Sequence, residues 1–326
     1  MAVSWLDAAQ LDAVAWERLI EQAEDATPFH TLGWVDAVAS VPGVRVRAVV
    51  ATDGAAYRAG MLVAERRTGP AVKRAVGVYG AYGSPLVDRA CPDAAAVRAA
   101  LAATLVDGLG MIGSLELADF AGHTTPTWSG ITRLEGRTRV LDLTSGYDAA
   151  RENFEVTVRQ KLRQAARAGV TIDDTDPREA LASFLRLAAS TYARHDSPAP
   201  PAGFYAAVVR AMLVRGEARL ALARTDRGEV AGAALHLLGG GHVFNWLTAV
   251  DPAHGAARPA NVLVDDAIRW GASRGACLYN FGATPAGSEG VEAFKKSWGS
   301  VPRTYPIWRV RTVGYRILTA LRGGRG

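Results

Sequence analysis

From Glu217 to Val250 the chain reads EARLALARTDRGEVAGAALHLLGGGHVFNWLTAV. This is three antiparallel strands, turned first at Asp226-Arg227-Gly228 and then at Gly239 to Gly241. Glycine admits the backbone angles that such short turns need. A helix follows from about Pro259 to Ser273, then a strand ACLYNFG, a short helix over 290–297 and a strand over 302–311. A run of paired strands, one helix and a further strand commits this stretch to a sheet covered by helices.

The first part of the chain has the same order. Residues 8–24 have a helical pattern, and Thr31 is placed to cap a short helix carrying Trp34, Val35 and Val38. Residues 44–67 alternate and turn at Asp53-Gly54, a hairpin signal, and a strand then leads into the glycine-rich AVGVYGAYGSPLVD. A helix over 93–109 precedes the strands SLELADF and RTRVLDL. Helices over 147–168, 177–194 and 203–215 and a strand GVTIDD then lead to the triple-strand run. A chain of 326 residues is long for one core, and two domains are the natural division. The expected class is α+β, as two tandem domains, 1–145 and 146–311, each with a mixed, largely antiparallel sheet flanked by helices. Residues 312–326 form a basic tail carrying Val313, Ile317, Leu318 and Leu321, which suits a docked terminal helix or at most a peripheral membrane contact.

The formal net charge of +5 is compatible with an anionic partner without requiring one. Cys91 and Cys277 are too isolated for a disulfide framework, and the six histidines form no close metal-ligand pair, so no metal is expected. The N-terminal stretch has two aspartates and no basic segment, and no run of 18 apolar residues occurs. A cytoplasmic location without a spanning helix is expected.

Of 37 basic residues only four are lysines, and two of them, Lys295 and Lys296, stand side by side in VEAFKKSWGS. A lysine is a compact charge with movable donors, suited to a phosphate or a transient oxyanion. Successive helical residues point about 100° apart, so one lysine enters a cleft while the other meets solvent or a second phosphate. Phe294 and Trp298 share one helical face. Arg159, Arg163 and Arg167 recur every four residues, either as a ridge for phosphates or as a solvated helix face. His254, Gly255, Arg258 and Asn261 surround the start of the helix at Pro259, where free N–H groups suit an anion and where an ordinary strand-to-helix connection reads equally well. Tyr79, Tyr82, His236, Asn245, Trp246 and Asn280 are candidates for a cleft wall or for core positions.

These stretches together resemble one family. Phe294 to Gly299 reads F-K-x-x-W-G, preceded by Y-N-F-G at Tyr279 to Gly282; with VRQKLRQAARAGVTI, AYGSPLV and TPFHTLGWVDAV, this is similar to Fem-type peptidyltransferases and a related branch of GNAT-fold acyltransferases. The likeness covers roughly residues 27–311. It implies two GNAT-like domains in tandem, and amide formation from an activated acyl group, with Lys295 matching the family's lysine and neutralising donor phosphate or developing negative charge. Lys296 is additional, and the family often has aspartate at the position of Asn280. The implied co-substrate is aminoacyl-tRNA, with acyl-CoA as the alternative and no tightly bound cofactor. The implied acceptor is an amine of a peptide or cell-wall precursor. A non-catalytic precursor-binding module is the reading from another class.

Overall fold

The computed structural model describes residues 1–68, 72–77, 82–124, 131–174, 176–194, 199–284 and 287–323. The chain divides into two compact units, one of residues 1–136 with 304–326 and one of residues 137–303. The boundaries therefore fall inside two strands, whereas the sequence division at 145 and 311 places them in the connections that follow.

In the first unit the chain forms β1 (Ala2–Asp7), α1 (Ala13–Gln22), α2 (Leu32–Ala39), β2 (Val44–Asp53), β3 (Ala56–Thr68), β4 (Val72–Gly77), β5 (Leu86–Val87), α3 (Ala94–Asp107) and β6 (Gly113–Ala118), and then enters β7 (Ile131–Asp142). The second unit adds α4 (Gly146–Glu152), α5 (Val156–Arg167), β8 (Thr171–Asp173), α6 (Pro177–Arg194), α7 (Ala202–Leu213), β9 (Ala218–Arg224), β10 (Val230–Gly239), β11 (His242–Val250), α8 (Pro259–Ser273), β12 (Leu278–Ala283) and α9 (Glu289–Ser297). β13 (Val301–Arg311) carries the chain back to the first unit, which ends with α10 (Val313–Gly323).

Each unit repeats one plan. In the first, β2, β3 and β4 are successive antiparallel strands, α3 crosses over, and β6 pairs parallel with β4. In the second, β9, β10 and β11 do the same, α8 crosses over, and β12 pairs parallel with β11. A parallel neighbour needs a crossover connection, usually a helix, and α3 and α8 supply it. β13 pairs antiparallel with β6, and β7 with β12. The duplicated order of elements is thus a duplicated topology.

Local caps explain several bounds. Asp12 Oδ1 accepts from the Ala15 N–H at 3.0 Å and Thr31 Oγ1 from the Trp34 N–H at 3.3 Å, so α1 and α2 begin there. Residues 8–24 are therefore not one helix, and strand β1 precedes it. The helix expected over 147–168 is two, because Glu155 is extended, its N–H bonding Ser297 O at 2.8 Å.

The core of the first unit packs α3 residues Val97, Leu101 and Leu105 on Met61, Val63, Ala75, Leu115 and Val310. In the second, Phe154, Val158, Val264, Ile268, Tyr279, Phe281 and Trp298 are buried together. Among the described residues no helix is long and apolar enough to cross a membrane.

Candidate functional site

β11 and β12 are paired only at His242↔Leu278, Val243↔Tyr279 and Phe244↔Asn280, although β11 continues to Val250. Beyond Phe244 the two strands part. The cause lies in both. The register of β10 against β11 shifts at Leu235/His236, and that of β12 against β7 shifts at Asn280/Ala283. An irregularity of this kind bends a strand and sharpens its twist. Gly282 has φ +73°, and a Cβ there would stand 3.1 Å from Asn245 O, so glycine is required where the strands diverge. The result is a wedge whose β11 side, Asn245 to Val250, forms no ladder with β12.

The base of the wedge is held by a buried polar network. Thr138 Oγ1 lies 2.7 Å from Asn280 Oδ1 and 2.8 Å from Gly282 O. The Gly282 N–H donates to Asn280 Oδ1 at 2.9 Å. Lys295 is 5% exposed and its ammonium donates to Gly282 O at 2.7 Å, Ala283 O at 2.9 Å and Thr284 Oγ1 at 3.0 Å. Arg139 donates to Glu292 Oε1 at 2.7 Å and to Ser300 Oγ at 2.9 Å, and also to the Ser300 carbonyl. Ser300 Oγ closes the circuit on Lys295 O at 2.6 Å. Burial pushes the Lys295 ammonium down to about 8, against the opposing pull of Glu292 and with a further push from Arg139. The Arg139 hydrogen bond holds Glu292 below the usual carboxylate range.

Lys295 faces inward, as expected. Its three N–H donors meet two backbone carbonyls and a hydroxyl, and so tie α9 to the end of β12. Lys296 is exposed. Phe294 packs edge-on against Trp298 at 6.1 Å, and Trp298 is fully buried beside Phe154, so both serve the core and not a cleft wall. Asn280 is likewise a structural residue, and its carbonyl oxygen is committed to Thr138 and Gly282.

At the other end of β11 a 3-10 turn, Pro252–Ala257, leads to α8. Arg258, between them, has φ 61° and ψ 39°, the only described non-glycine residue with positive φ. Such a conformation costs of order 1 kcal/mol and persists where the surroundings impose it. Gln164 of α5 braces the turn: its Oε1 accepts from Arg258 Nε at 3.2 Å and its Nε2 donates to Ala256 O at 3.1 Å. Asn261 is buried in the first turn of α8, and its Nδ2 has no partner among the described residues. His254 Nε2 stands 4.0 Å from Glu229 Oε2, and no Cβ at Gly255 would meet any atom within 4 Å. Arg159 does not extend the ridge: its Nη1 donates to Phe154 O at 2.6 Å, bracing the start of α5. Arg163 is exposed one residue from Gln164.

On β11, Thr248 Oγ1 donates to Asn245 Oδ1 at 3.0 Å, and the Trp246 ring lies 6.1 Å from Phe204 and 6.4 Å from Phe244. His236 is 1% exposed, neither ring nitrogen has a hydrogen-bond partner among the described residues, and its ring lies 6.0 Å from that of Tyr279. Burial, with help from Arg219, pushes this imidazole down to about 3, so it is neutral. Tyr82 belongs to the core of the first unit, stacked on Phe120 at 4.6 Å and edge-on to Phe29 and Tyr305. Tyr79 lies outside the described residues.

The structure thus gathers Asn245, Trp246, Asn280 and Lys295 around the parting strands, and His254, Gly255, Arg258 and Asn261 around the loop. The sequence reading missed Thr138, Arg139, Glu292, Ser300 and Gln164. No spacing signal points to them, because each acts through a partner far away in the chain.

Residues 152–296 match the family model of the acetyltransferase (GNAT) domain. The fold is that of Fem-type, GNAT-fold proteins. The chain superposes on the crystal structure of FemX with a TM-score of 0.75 at 14% identity, covering 94% of this chain and 97% of that one. L-PGS from Bacillus licheniformis gives 0.56 at 14% identity over 95% and 96%, and a tandem GNAT protein from the clavulanic acid biosynthesis pathway gives 0.53 at 14% over 95% and 98%. No curated protein sequence matches the chain. The second unit thus carries the match to an acetyltransferase domain, on a GNAT-type fold that the chain shares with these structures.

Proposed function

We propose that the protein forms an amide by moving an aminoacyl group from aminoacyl-tRNA to an amine of a peptide or peptidoglycan-type precursor. The observation that carries an acyl-transfer reading is the wedge between β11 and β12. It offers an open strand edge to an elongated activated donor, with the Arg258 loop and the start of α8 beyond it. The amine nitrogen attacks the acyl carbon, the new C–N bond forms, the ester C–O bond breaks, and the proton lost by the amine balances the one gained by the departing hydroxyl. The unladdered N–H groups of β11 beyond Phe244 are the candidates for holding the oxyanion, and one such donor contributes about 3–4 kcal/mol. Lys295, Thr138 and Asn280 hold β12 in its bent course and so keep the wedge open. The polynucleotide donor is supported by the resemblance to Fem-type proteins, the net charge of +5, and Arg163 and Lys296, which are exposed and have no partner among the described residues.

A second donor, acyl-CoA, is favoured by the turn at 252–257 and the buried Asn261 amide at the helix start, which suit a diphosphate. Mass spectrometry of the purified protein for charged tRNA or coenzyme A, followed by transfer assays with each donor and amine-bearing peptides, separates the two. Amide product from charged tRNA alone supports the first reading, and product from acyl-CoA alone supports the second. Ligand binding without turnover from either donor overturns catalysis and leaves a precursor-binding module.

A further inference from the structure

The first unit carries a surface that lies outside the wedge and the Arg258 loop. Register pairs place Arg66 opposite Arg74, Arg74 opposite Ser114, and Ser114 opposite Arg311. Directly paired residues point to the same side of a sheet, about 5 Å apart. Three arginines and a serine therefore form one row across β3, β4, β6 and β13. The alternate residues Ala75, Leu115 and Val310 point the other way, into the core under α3. Arg66, Arg74 and Arg311 are all exposed, and none has a hydrogen-bonding or ionic partner among the described residues. The next row holds Glu116, whose Oε2 accepts from Arg309 at 2.7 Å, so the acidic residue here is already matched. Arg74, Ser114, Arg309, Arg311 and Tyr315 line a groove of about 320 Å³.

Helix α10 is one wall of that groove. Tyr315 faces inward, and the helix start is fixed by Thr312, whose Oγ1 donates to Met111 O at 2.8 Å and accepts from the Gly113 N–H at 2.8 Å. On the opposite side of α10, Val313, Ile317 and Leu321 recur every four residues and are 62%, 56% and 67% exposed. Met111, beside the helix start, is 89% exposed. Single exposed apolar residues need no explanation, but three on one stripe of α10, with Met111 beside the helix start, do. Arg316 flanks the stripe, also exposed and unpartnered.

We infer that this face docks on an anionic phospholipid surface. An interfacial helix sinks its apolar stripe to the acyl boundary while flanking arginines meet lipid phosphates. A nucleic acid would use the arginines and have no use for Met111, Ile317 and Leu321. A second copy of this basic face would meet it with like charge.

The test is flotation of the full chain with vesicles of phosphatidylcholine alone and of phosphatidylcholine mixed with phosphatidylglycerol, with a duplex RNA as competitor. The expected result is binding to the anionic vesicles only, at least tenfold weaker in R74E/R311E and at least tenfold weaker in I317D/L321D, and screened by salt. All four positions are exposed, and thermal melting of both variants checks that they fold. No binding to anionic vesicles at low salt overturns the inference. So does binding that both variants retain. Binding that depends on the arginines but not on Ile317 and Leu321, and that RNA displaces, assigns the face to nucleic acid instead. Self-association that needs Ile317 and Leu321, without vesicle binding, assigns it to a dimer.

Discussion

Lys295→Met separates the two roles a buried lysine can have beside a reaction. The substitution keeps the stem and removes the ammonium, so Gly282 O, Ala283 O and Thr284 Oγ1 lose a charged donor. A hydrogen bond to a charged group contributes about 1.5–3 kcal/mol, and an acceptor left unpaired costs about 1–3 kcal/mol. Two of the three acceptors keep a contact: Gly282 O shares the single Thr138 hydroxyl hydrogen with Asn280 Oδ1, and Thr284 Oγ1 stays 3.3 Å from Glu292 Oε2. Relief of the buried charge offsets part of the remainder. A net loss of about 2–3 kcal/mol follows. Urea unfolding of wild type and variant measures it, and transfer kinetics on the same samples measure the consequence for the wedge. A positioning residue predicts lower stability together with slower transfer. The pH dependence adds a check. The ammonium titrates near 8 in the folded chain against 10.5 when free, so the unfolded chain binds more protons between these values. Stability from this group therefore rises with pH across that window and falls as pH drops through 8, and Lys295→Met abolishes the rise. If the variant is as stable as wild type while transfer slows a hundredfold or more, in the range expected for a lost oxyanion donor, the lysine touches the reacting atoms and the positioning argument is refuted.

Arg258→Gly relieves the left-handed backbone and should stabilise the chain by up to about 1 kcal/mol in a thermal melt while raising the KM for the donor, since the Gln164 contact and one cation are lost. Gly271→Ala places a methyl in contact with Val243, forcing α8 off β11; overpacking of this kind costs about 1–3 kcal/mol and should weaken donor binding, read by denaturant midpoint and KM. His236 is held neutral down to about pH 3 and His30 down to about 4, whereas both protonate near 6.5 when free. Their depressed values make stability fall as pH drops from 6.5 toward 3, and His236→Leu should flatten that fall in an acid titration followed by circular dichroism.

Much of the fold was legible because its signals are local. The turns at Asp53-Gly54, Asp226 to Gly228 and Gly239 to Gly241 separate the strands that the structure shows, and the helix expected over 259–273 is α8. The two-unit plan followed from element order. Breaks set by distant partners were not legible: α4 and α5 divide because Glu155 reaches Ser297, and Arg159 turns inward to Phe154 O rather than joining Arg163 on a ridge. The parting of β11 from β12 was hidden for the same reason, since it depends on two register shifts and on the close approach of Gly282 to Asn245. The scarcity of lysine did mark the right place, as Lys295 sits at the foot of the wedge. Scarcity could not reveal its partners, the carbonyls of Gly282 and Ala283 and the Thr284 hydroxyl.

Hydrogen–deuterium exchange with and without the donor that supports transfer tests the central claim most directly. The account predicts slowed exchange at residues 244–250 of β11, at the 252–258 loop and at 281–284, with little change in α3 or β2 of the first unit. Unchanged exchange along β11 and the loop at saturating donor, with protection elsewhere, would contradict it.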